Sequence, residues 1–255
     1  MGLSMAAAER WVQRWDRQQQ RYAIDREERF TVIADVVQQA TNGRRRPLVI
    51  EFGCGPGSLT ARLAGRLPEA EVIAVDMDPL LLELARTRHA DAARYVETVI
   101  GEAGWIDALG LDGPPHTAVS TTALRYLAED SLRRTYLQLA DLLRPGGVLV
   151  NADHFPSDDT QPTQIAAHVG NRRAERLRAF AHEDWESWWA ATARDPELAG
   201  LLTERRGKQP SAPHGGGGHN GLSLSRHVKL LHQAGCAQVG PVWQFGSSHV
   251  LVAVR

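Results

Sequence analysis

The chain has 255 residues, enough for one large domain or for a core domain carrying an insertion. Apolar residues make up 43% and the formal net charge is -1, so a full core can be buried and no strongly basic nucleic-acid surface is indicated. The two cysteines, Cys54 and Cys236, lie far apart without a C-x-x-C partner, which excludes a disulfide framework and a thiolate zinc site of ordinary spacing.

The first twenty-two residues are rich in Gln and Arg and lack the apolar core of a signal peptide. No apolar stretch is long enough to span a bilayer, so a soluble, cytoplasmic protein without a membrane partner is expected. Trp11 and Trp15 sit four apart on a first helix. Asp25 with Glu28 has the pattern of a capping box opening a second, whose apolar face is Phe30, Ile33, Val37 and Ala40. Residues 1–43 thus read as an N-terminal helical cap. Arg44-Arg45-Arg46 abuts Pro47 and reads as a solvated loop rather than a nucleic-acid patch.

Strand-like and helix-like segments then alternate from Pro47 to Phe155. Leu48-Val49-Ile50-Glu51-Phe52 is a buried-strand run ending at glycines, and Leu59, Leu63 and Leu67 follow at helical spacing. Val72-Ile73-Ala74-Val75 is a second strand, with Asp78 as N-cap and Pro79 at the start of a Leu-rich helix. A third strand is expected within Tyr95–Ile100 and a fourth within Thr117–Thr121. Leu132, Tyr136, Leu139 and Leu143 line one helical face before Arg144-Pro145-Gly146-Gly147 breaks it, and Val148 opens a fifth strand. This βαβα rhythm, over residues 44–155, is that of an open parallel sheet with helices on both faces.

Residues 156–222 read as an insertion, with a helical part carrying Trp185, Trp188 and Trp189 and a Gly/Pro/His-rich loop from Gly207 to Gly221. The shared helical spacing of the three tryptophans favours packing over an aromatic acceptor pocket. Residues 223–255 complete the core: a helix capped by Ser225 and stopped at Gly235, then Ala237–Phe245 and His249–Val254 joined by Gly246-Ser247-Ser248, which must pair antiparallel.

The decisive segment is Glu51-Phe52-Gly53-Cys54-Gly55-Pro56-Gly57, between a strand and a helix. Its glycines let the backbone turn tightly and approach a ligand. The G-x-G-x-G spacing departs from the dinucleotide fingerprint G-x-G-x-x-G, and no Lys-Ser/Thr follows to make a Walker loop. An acid just before such glycines suits a cationic or zwitterionic ligand. The stretch resembles motif I of class I S-adenosylmethionine (SAM)-dependent methyltransferases, E/D-x-G-x-G-x-G. Asp76 with Met77 after the second strand, Gly101-Glu102-Ala103 after the third, the Pro145-Gly146-Gly147 turn and the antiparallel last strand follow in that family's order.

The resemblance implies a Rossmann-like α/β fold with a seven-stranded sheet, mostly parallel with an antiparallel last strand, beneath the N-terminal helical cap. It implies SAM as cofactor, leaving S-adenosylhomocysteine (SAH) as product. The implied cofactor-binding residues are Glu51, Gly53, Cys54, Gly55, Gly57, Asp76 at the ribose hydroxyls, Met77 at adenine, Glu102 at the adenine amino group, Ala103 and Thr121. Cys54 reads as a small loop filler. Thr121 or Thr122 faces the transfer site or simply ends the fourth strand.

His154, at the carboxyl edge of the fifth strand, is the candidate general base, or else a strand-end residue bonded to backbone. Arg125, Tyr126 and His219 are candidates for orienting the acceptor, with His214 in the same loop as His219. No metal site is expected, since His214, His219, Asp153 and His154 match no ligand spacing. The expected activity is methyl transfer to an O or N atom of a small molecule, as in secondary metabolism, with no nucleic-acid partner. The cap and insertion are expected to enclose the acceptor. A protein or RNA methyltransferase, and a SAM- or SAH-binding protein without methyl transfer, are the alternatives.

Overall fold

The computed structural model describes residues 2–208 and 219–255. Helix α1 (Met5–Gln19) opens at Ser4, whose side chain accepts from the Ala7 N–H, and buries Trp11 and Trp15 on one face. Helix α2 (Arg26–Ala40) follows, but the expected capping box does not form. Asp25 makes no side-chain cap hydrogen bond; its buried carboxylate instead lies 2.7 Å from Arg173 Nε, far along the chain. A carboxylate held by a guanidinium inside the protein is turned away from the helix N–H groups.

The core then runs as expected through β1 (Leu48–Phe52), α3 (Ser58–Arg66), β2 (Glu71–Asp76) and α4 (Pro79–Arg88). Asp78 caps α4 by accepting from the N–H groups of Leu80 and Leu81, and Pro79 takes the first turn. Strand β3 (Arg94–Glu97) stops earlier than Tyr95–Ile100 would place it. Its last link to β2 is Thr98 N–H to the Asp76 carbonyl, after which Glu102 N–H bonds the Val99 carbonyl and the chain turns. Gly101-Glu102-Ala103 therefore lies in a turn beyond the strand, not at its end.

Next come α5 (Trp105–Ala108), β4 (Thr117–Thr121), α6 (Glu129–Leu142) and β5 (Val148–His154). The insertion forms α7 (Thr160–Arg176), α8 (Trp185–Thr192) and α9 (Ala199–Lys208). Helix α10 (Leu224–Gln233) is capped by Ser223, which accepts from Arg226 N–H, and not by Ser225. Leu224 is already helical, so Ser225 falls inside the first turn. Gly235, at φ +94°, stops the helix where an L side chain would be strained.

The hairpin of β6 (Gln238–Phe245) and β7 (Ser248–Val254) completes a seven-stranded sheet of order β3-β2-β1-β4-β5-β7-β6. Neighbours from β3 to β5 are parallel, and β7 runs antiparallel between β5 and β6. This is the Rossmann-like architecture expected. Alternation along each strand feeds two cores. Val49, Val72, Val119 and Val150 face Phe30, Ile33 and Leu63 of α2 and α3. Ile50, Ile73 and Leu149 face Leu132, Tyr136 and Leu230 of α6 and α10.

A third apolar cluster joins cap to insertion. Trp11 and Trp15 of α1 pack edge-to-face on Trp188, with ring centroids 5.6 and 5.0 Å apart, and Leu80 and Leu84 of α4 complete the contact. Trp185 and Trp189 pack around the same centre, so the tryptophans of the insertion are packing residues. Arg205 pairs with Asp78 and Lys208 with Glu97, which fixes α9 over the carboxyl ends of β2 and β3. Cap and insertion thus cover the edge where open α/β sheets bind ligands. Among the described residues no helix is long and apolar enough to cross a membrane.

Candidate active site

Parallel strands all end at one edge, so Phe52, Asp76, Thr121 and His154 emerge side by side. Between β1 and α3 the loop of Gly53, Gly55 and Gly57 holds all three glycines at positive φ. Gly53 is the most constrained: a Cβ there would lie 2.2 Å from Ala123 Cβ. Over Gly55 the nearest atom to an added Cβ is the Trp15 ring, at 3.7 Å, so α1 roofs this loop.

Two carboxyls flank the loop, Glu51 buried and Asp76 half-buried. Glu51 is 1% exposed and accepts a hydrogen bond from Thr60 Oγ1 at 2.6 Å. Burial pushes its pKa up to about 8, opposed by the Thr60 bond and reinforced by the nearby Asp76 charge. Asp76 accepts from the Gly55 N–H through Oδ2 and from the Asp78 N–H through Oδ1, at 2.7 and 3.0 Å. Burial raises it to about 6 against the pull of those backbone bonds. Cys54 is buried and its thiol is pushed well up by burial and the two acids, so it is no nucleophile.

At the β4 and β5 end the charges reverse. Arg125 forms a two-pronged pair with the buried Asp153 carboxylate, through Nε at 3.0 Å and through Nη2. Burial raises the Asp153 carboxyl, but its hydrogen bond to His154 and the Arg125 guanidinium outweigh that and hold it below the usual range. His154 Nδ1 lies 3.4 Å from Arg125 Nη2; burial lowers its pKa despite Asp153, so its imidazole is neutral at pH 7. Tyr126 is half exposed, with the His219 ring 5.6 Å away, and Asn220 N–H bonds the Arg125 carbonyl beneath them.

Glu51, Gly53, Cys54, Gly55 and Thr121 line one cleft, together with Trp15 and Arg29. Gly57, Asp76 and Met77 adjoin it at the loop and the end of β2, and Arg125, Tyr126, His154 and His219 form a second group beyond β4. Glu102 and Ala103 are exposed in their turn. His214 lies outside the described residues; among these no three His, Cys, Asp or Glu side chains converge as metal ligands. A larger open depression between α7 and the β6–β7 turn, lined by Ile165, Val169 and Phe245, has no ionisable side chain.

Sequence reasoning missed Arg26 and Arg29. Both sit in the buried stripe of α2 with Phe30, Ile33 and Val37, Arg26 paired with Asp16. Arginines in the apolar stripe of an amphipathic helix are the signal that could have found them.

Residues 49–147 match the family model described as a methyltransferase domain. Over this segment the chain is similar to the class I SAM-dependent methyltransferases. It is 35% identical over 156 residues to a trans-aconitate 2-methyltransferase of Methylobacterium radiotolerans, covering 61% of this chain and 50% of that protein. A protein of the same name from Rhodococcus jostii is 50% identical over 161 residues, covering 61% of this chain and 56% of that one. The chain thus spans about half the length of these curated relatives. Magnesium protoporphyrin IX methyltransferase from Synechocystis, solved with bound SAH, shares the fold: TM-score 0.56 at 16% identity, over 96% of this chain and 94% of that one.

The cofactor of this family is SAM, and the residues present fit it. Glu51 and Asp76 both carry raised pKa values because burial outweighs what opposes it, the Thr60 bond and the Arg26 charge at Glu51 and backbone N–H groups at Asp76. A ligand with an ammonium and a sulfonium supplies further compensation. Each Asp76 oxygen spends one lone pair on a backbone N–H, leaving one apiece for a pair of hydroxyls.

Proposed function

We propose that the protein is a SAM-dependent methyltransferase that esterifies a carboxylate oxygen of a small organic acid. The observation that carries this reading is the reversal of charge along one edge of the sheet. Carboxyls flank the glycine loop at β1 and β2, whereas Arg29 and Arg125 stand at β4 and β5. The first end suits a cationic cofactor and the second an anionic acceptor. The curated relatives are named for methylating trans-aconitate, a small polycarboxylic acid, which agrees with that polarity.

SAM supplies an electrophilic methyl group. A carboxylate oxygen attacks it with its own lone pair while the C–S bond breaks toward sulfur, and no proton has to move. The protein's task is then to bring the oxygen into line and to exclude water. His154, neutral at pH 7, orients the acceptor beside Arg125 rather than serving as a base. Glu51, the loop glycines Gly53, Gly55 and Gly57 with Cys54, Asp76, Met77, Glu102 and Ala103 are assigned to the cofactor, and Thr121 to the border between cofactor and acceptor. Arg125, Tyr126 and His219 are assigned to the acceptor.

The cleft has only about 50 Å³ of free space, little more than one water's share of the liquid. Trp15 of α1 walls the cleft on one side and can exclude water once it is filled. Acids of secondary metabolism fall in the same acceptor class. The test is methyl transfer from labelled SAM to trans-aconitate and to its neutral triamide. Label recovered as a base-labile ester of the acid supports the reading. Transfer to the triamide alone, or to phenols and amines but no acid, overturns it.

A further inference from the structure

Arg29 stands out in the cleft because it is a buried charge with no ion pair of its own among the described residues. Its side chain is 1% exposed, and its only hydrogen bond among the described residues runs from Nη1 to Ser248 Oγ at 3.4 Å. Nε has no hydrogen-bond partner among the described residues. The two acids that act on it electrostatically are engaged elsewhere, Asp153 with Arg125 and Asp25 with Arg173. Burial and the neighbouring Arg125 and Arg26 lower its pKa only to about 10, so it is still a cation at pH 7. An unpaired guanidinium out of water costs several kcal/mol, a cost that an incoming anion removes.

A second orphan donor faces the same cleft. Thr121 Oγ1, at the end of β4, is buried without a hydrogen-bond partner, and Thr122 beside it holds φ +55°. A guanidinium edge and a hydroxyl lining one cavity form a receptor for a planar oxyanion. The sheet order decides whose oxyanion it is. Arg29 is bonded to the start of β7 and coupled to the end of β5, whereas the carboxyls Glu51 and Asp76 lie on β1 and β2. Arg29 therefore stands on the β5–β7 side of a cleft that the glycine loop also lines.

We propose that Arg29, with Thr121 Oγ1 beside it, anchors a carboxylate of the acceptor other than the one methylated, and so selects polycarboxylic over monocarboxylic acids. This rests on the carboxylate-methylating reading above. A guanidinium fork holds one carboxylate while Arg125 and His154 border the space left for the reacting one. The carboxylate of the cofactor's methionyl half is the competing occupant, and the two make opposite predictions.

The experiment compares wild type with Arg29→Met and Arg29→Lys. Calorimetry measures SAH binding to the free protein, then trans-aconitate and crotonate binding to the SAH complex. The variants are expected to bind SAH as wild type does and to bind trans-aconitate roughly 10- to 100-fold more weakly, with crotonate little changed. Melting in the absence of ligand is expected to be no lower in the Met variant, since an unpaired charge has gone; should that variant fail to fold, the Lys variant carries the comparison through its altered fork geometry.

Weakened SAH binding would give Arg29 to the cofactor and overturn the proposal. Unchanged trans-aconitate affinity in the variants, or no binding of any acid by the wild type, would overturn it too. Wild-type binding of trans-aconitate without methyl transfer would instead defeat the functional reading and leave the anchor standing.

Discussion

Replacing Glu51 by Gln tests the electrostatics of the cofactor end directly. In the ligand-free protein burial carries the Glu51 carboxyl from 4.5 to about 8. At 1.36 kcal/mol per unit that difference is worth about 5 kcal/mol, a large share of a typical domain's stability. The folded protein binds this proton more tightly than the unfolded chain. Its contribution is therefore fully present below pH 4.5 and is lost as the pH rises through about 8. Gln cannot ionise, yet its carbonyl can still accept from Thr60 Oγ1, as Glu51 does at 2.6 Å. Urea unfolding between pH 5 and pH 9 is the assay. Wild type should lose several kcal/mol across that range, whereas the variant should lose only the smaller part due to Asp76, raised to about 6. The variant should be the more stable protein above pH 8 and should converge with wild type toward pH 5. Parallel curves would refute the idea that burial of Glu51 outweighs the Thr60 bond and the Arg26 charge.

Gly53→Ala places a Cβ 2.2 Å from Ala123 Cβ at φ +72°, and the combined clash and strain should cost about 2–4 kcal/mol in urea unfolding. Gly55→Ala meets only φ +55° with its nearest neighbour 3.7 Å away, so it should cost about 1 kcal/mol and still fold; equal losses would deny the loop the geometry described here. Asp153→Ala leaves Arg125 and Arg29 facing each other without a carboxylate, and the melting temperature should drop by the equivalent of about 3–5 kcal/mol. Trp188→Ala empties the fully buried centre between α1 and α8 and should cost about 3–5 kcal/mol if cap and insertion unfold with the core. A second, earlier transition by tryptophan fluorescence would show that they unfold apart from it.

The strands and their order of appearance were legible because a parallel sheet buried on both faces writes near-continuous apolar runs, such as Leu48–Phe52 and Val72–Val75, closed by glycine or Asp-Pro signals. Local capping was legible where the partner lies within a turn, as at Asp78. It was misread at Asp25, whose carboxylate answers to Arg173, and at Ser225, where a serine two residues earlier takes the cap. Strand β3 falls at the start of the Tyr95–Ile100 stretch, since apolar Val99 and Ile100 continue its pattern while the hydrogen bonds stop at Thr98.

The glycine loop with Glu51 and Asp76 was determined by sequence alone, since strand, turn and acid are neighbours along the chain and their spacing fixes their geometry. Only the tertiary structure decided how the β4–β5 end is charged. Arg29, Thr121, Arg125, Asp153 and Ser248 come from four elements and an intervening turn, and no spacing relates them. That Arg125 is neutralised while Arg29 is not depends on which guanidinium reaches Asp153 after α2 has packed on the sheet. Burial of a charge, unlike a glycine turn, is a property of the packed molecule and not of its neighbours in the chain.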